Sequence, residues 1–65
     1  MVTSDTMAQD LMILALDTDN EDIQSLVTRF LDADDKWTME KTPENRNAAI
    51  LARNKMRKVW IANFM

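Results

Sequence analysis

Residues 20–35 read NEDIQSLVTRFLDADD, and the fold follows from this stretch. Its large apolar residues are Ile23, Leu26, Val27, Phe30 and Leu31. They fall at i, i+3, i+4, i+7 and i+8, the spacing that puts all five on one side of an α-helix. Gln24, Ser25, Thr28, Arg29, Asp32 and Asp35 take the other side. Thr18 or Asp19 is placed to cap the helix by accepting a backbone N–H bond. Glu21 and Asp22 follow, where the helix dipole favours negative charge. A helix is therefore predicted over residues 20–34. It can extend towards residue 40, because Phe30, Ala33 and Trp37 share a face.

Further along the chain, Thr42-Pro43-Glu44 is a helix start. Thr caps, Pro suits the first helical position because its missing N–H has no partner there, and an acid follows. Pro also disfavours helix in the residue before it, so the preceding helix must end by Lys41. A third helix is predicted over residues 43–63. In the other direction, Ser4 or Thr3 can cap a helix over about residues 5–16, with Asp5 in its first turn. That helix ends at the polar link Asp17-Thr18-Asp19-Asn20.

Composition points the same way. The chain has 65 residues, no Gly and one Pro. Tight β-turns want Gly or Asn-Gly, so their absence favours helices joined by polar links. Short links imply antiparallel neighbours. The expected fold is all-α: one domain forming a small three-helix bundle.

A chain this short buries only about 60% of its unfolded surface, so its own core is marginal. Cys and His are both absent, which removes disulfides and the commonest metal ligand. Association is the remaining route to extra stability. The first helix supports it. Gln9, Asp10 and Asp17 form a narrow polar side, into which Ile13 intrudes. Met7, Ala8, Leu11, Met12, Leu14, Ala15 and Leu16 cover the rest. A helix so apolar wants neighbours on more than one side. The bundle is expected to be completed by oligomerisation, through the first helix and part of the third. Six Met residues suit an adaptable contact surface.

Charge divides the chain. Residues 1–35 hold nine acids and one base, a net of −8; residues 36–65 hold seven bases and two acids, a net of +5. The two halves can neutralise each other, within a chain or across a dimer, or one of them can meet a charged partner.

The third helix carries two apolar faces. Ala48, Ala49, Ala52, Met56, Val59 and Trp60 read as the core-facing one. The second is Arg46, Ile50, Arg53, Arg57, Ile61 and Phe64, spaced by 4, 3, 4, 4 and 3. A minimal three-helix core has no use for it. Arg offers a planar donor fork, and Arg with aromatics is enriched at interfaces. These six are the candidate partner-binding residues. The competing reading has the three Arg pair with the acidic face of the second helix while the apolar residues pack on the first.

The partner expected for this stripe is another protein, or a second copy of the chain. Nucleic acid is the alternative: a basic helix after another helix invites a helix-turn-helix reading. Against it, the link lacks the short Gly-containing turn, the first 35 residues repel phosphate, and the pI is about 4.6. An anionic membrane surface fits less well still, given the acidic remainder.

Other chemistries lack their residues. Asp17-Thr18-Asp19-Asn20-Glu21-Asp22 starts like a calcium loop, but Asp22 and Thr28 stand where Gly and a bidentate Glu are needed. Asp32-Ala33-Asp34-Asp35 fails sooner, at Lys36. Nothing provides a nucleophile pair or a glycine-rich phosphate loop, so no enzyme activity, cofactor or metal is expected. The acidic half could also mimic the phosphates of a nucleic acid, although helix caps and solubility account for those acids.

Residues 1–10 lack the basic n-region of a signal peptide. The longest apolar run, Leu11-Met12-Ile13-Leu14-Ala15-Leu16, is far shorter than the roughly 20 residues a bilayer needs. The expectation is a cytoplasmic protein, or one of the host cytoplasm if virus-encoded. Its expected role is a non-catalytic protein-binding module. That suits a small regulator or inhibitor of the sort phages and plasmids carry as accessory proteins. A self-assembling structural subunit is a further alternative.

Overall fold

The computed structural model describes residues 2–65. Three helices follow in order: α1 (Ser4–Thr18), α2 (Glu21–Met39) and α3 (Pro43–Phe64). Among the described residues there is no strand. The protein is an all-α three-helix bundle in which each helix packs on both others.

Each helix begins with a side-chain cap. Thr3 accepts from the Thr6 N–H, Asn20 from Ile23 and Thr42 from Asn45, each at 3.1–3.2 Å. The cap of α2 is therefore Asn20, not Thr18 or Asp19. α1 runs two residues further than its polar sequence suggests, so Asp17 and Thr18 are helical and Asp19 ends it. Asp19 adopts the left-handed conformation, with φ 52° and ψ 43°. The Asn20 N–H then reaches back to the Ala15 carbonyl at 2.8 Å, closing a Schellman turn. Only two residues thus turn the chain, one ending a helix and the other starting the next. Asp tolerates this backbone better than most residues, but a β-branched side chain does not. Asp19→Val is expected to cost about 1–2 kcal/mol, read by urea denaturation.

The α2–α3 corner rests on Asn45. Its side-chain amide donates to the Glu40 carbonyl at 2.8 Å and to the Lys36 carbonyl at 3.4 Å. Both carbonyls also accept a backbone N–H, Lys36 from Glu40 at 2.9 Å and Glu40 from Thr42 at 3.0 Å, so the amide adds a second bond to each. α2 continues to Met39, with Trp37 half-buried and Lys41 Nζ 4.8 Å from its ring centroid.

The core joins Met7, Ala8 and Leu11 of α1, Val27 and Phe30 of α2, and Met56 and Trp60 of α3. Leu11 and Met56 have no exposed surface. Three residues of the predicted apolar faces lie outside this core. Leu16 and Leu31 are 65% and 45% exposed, and Ala48 is also exposed. Each sits on the edge of its apolar stripe, and three short helices bury only the middle of a stripe this wide. Of the methionines, Met7 and Met56 are buried and Met12 half-buried, while Met39 and Met65 are largely exposed. Met1 lies outside the described residues.

Candidate functional site

The candidate stripe runs along the side of α3 that borders α1. At its upper end Arg46, Ile50 and Arg53 line an open groove of about 460 Å³. Ser4 and Asp5 of α1 close one side, and Phe30, Asp34 and Trp37 of α2 another. The groove follows from helix length. α1 has 15 residues against 19 and 22 in α2 and α3, so the longer pair continues past its first turn.

At the lower end the stripe rests on Trp60. Phe64 stacks on this indole, with ring centroids 5.7 Å apart and planes at 20°. Trp60 is buried, and its Nε1–H donates to the Asp10 carboxylate at 3.1 Å. A buried indole N–H needs such a partner. Asp10 is therefore more than a solvated member of the polar side of α1: it ties that helix to the end of α3. Asp10→Ala is expected to lower stability by about 1–2 kcal/mol in urea denaturation. Asp17→Ala, changing a helical acid with no such bond, is the control.

Stripe exposure is high. Arg46, Arg53 and Arg57 are all exposed, Ile61 and Phe64 are 42% and 45% exposed, and Ile50 is half-buried. Among the described residues, the one ion pair within 4.0 Å is Lys36–Asp32, one turn apart on α2. Among the described residues, no carboxylate lies within 4.0 Å of any of the three guanidinium groups. Of the carboxylates that could neutralise the stripe within the chain, Asp34 of α2 and Asp5 of α1 share a groove with Arg46 and Arg53 without forming an ion pair.

A second surface lies on the first helix, which the sequence marks for association without placing its groove. Between α1 and α2, Ala8, Met12, Ile13, Val27 and Leu31 line an open groove of about 390 Å³, with Asp5 and Gln9 on its rim. Ile13 was the available signal, an apolar residue where the first helix is otherwise polar. On the opposite side, α2 and α3 form a smaller groove floored by Leu26, Ala33, Ala48, Leu51 and Ala52, with Arg29 and Lys55 at its edges.

Among the described residues, no three acidic side chains converge closely enough to hold a metal ion. No described helix is long and apolar enough to cross a membrane. Comparison of the chain with protein-family models, with curated proteins and with solved structures found no match.

Proposed function

We propose that the chain is a cytoplasmic, non-catalytic protein-binding module whose contact surface is the α3 stripe. The observation that carries this reading is the state of the three Arg: exposed, outside ion-pair distance of any described carboxylate, and on one side of α3 with the exposed Ile61 and Phe64 and the half-buried Ile50. Exposed apolar surface interleaved with Arg is the composition of protein interfaces. A module without chemistry of its own acts by occupying a protein surface, which is how a small regulator or inhibitor works.

The test compares capture by wild type and by Ile61→Ser/Phe64→Ser, from a lysate of the source cells treated with nuclease. A protein held by wild type and lost by the variant supports the reading. Capture that nuclease abolishes, with the variant still active, overturns it in favour of phosphate contacts by the Arg residues. The effect expected at Ile61 and Phe64 is a loss of at least about 30-fold, since two apolar contacts are removed from a desolvated patch.

A further inference from the structure

We draw no further inference here: the strongest candidate, the open α1–α2 groove lined by Ala8, Met12, Ile13, Val27 and Leu31, is an unpartnered apolar face, and nothing in the structure shows what covers it.

Discussion

Trp60→Ala is expected to remove about 3–5 kcal/mol of stability. A domain of 65 residues holds only about 3–10 kcal/mol in total, so much of the population should unfold. The size of the effect comes from three losses at one position. The indole is part of the core cluster, it supplies the bond to Asp10, and it is the platform on which Phe64 stacks. Trp60→Phe separates them. It keeps an aromatic ring but removes the N–H, and should cost about 1–2 kcal/mol. Urea denaturation followed by circular dichroism measures both. If Trp60→Ala costs under about 1 kcal/mol, the joint between α1 and α3 is not what holds the end of the bundle.

Arg53→Glu/Arg57→Glu is expected to leave the fold intact and weaken binding to the protein partner at least about 100-fold. Both side chains are exposed and neither has an ion pair to lose, so their reversal should change stability by no more than about 0.5 kcal/mol. At an interface the same change removes charge-assisted hydrogen bonds worth about 1.5–3 kcal/mol each and adds repulsion. Isothermal titration against the identified partner, or self-association if that partner is a second copy, reads the effect. Reversing Lys58 and Lys55, which are exposed but off the stripe, is the control. Equal losses in both double variants would mean that net charge, not the stripe, governs binding. A Gln pair in place of Glu should fall between wild type and reversal.

Much of the fold was legible because helix signals are local. Thr42-Pro43-Glu44 starts a helix whatever surrounds it, and the stripe around Val27 and Phe30 finds a core in any bundle. Caps were harder to place. Asn20 and Asp19 are both good cap residues, and which one caps depends on how far α1 continues. Asp19 in the left-handed region ends α1, leaving Asn20 as the cap of α2. That outcome depends on backbone geometry more than on residue type.

Burial at the edges of the stripes was not legible. Leu31 looks like a core residue on a helical wheel, at the end of the stripe that begins at Ile23. Whether such a position is covered depends on the neighbouring helix, and α1 and α2 leave an open groove beside Leu31. The candidate stripe was visible as spacing alone. Its lack of carboxylate partners was not, because side-chain distances between helices cannot be read from a sequence. The Asp10–Trp60 bond joins residues 50 positions apart, so no local pattern announces it.

The most direct measurement is photo-crosslinking from single positions, with a photoreactive phenylalanine analogue placed at Phe64 or at Met39. Phe64 lies on the stripe and is stacked on Trp60. Met39, 88% exposed at the end of α2, lies off it. A stoichiometric, nuclease-resistant crosslink to protein from position 64 and none from position 39 is the predicted result. Equal crosslinking from both positions, or a crosslink from position 64 to nucleic acid alone, would contradict the stripe as the protein-binding surface.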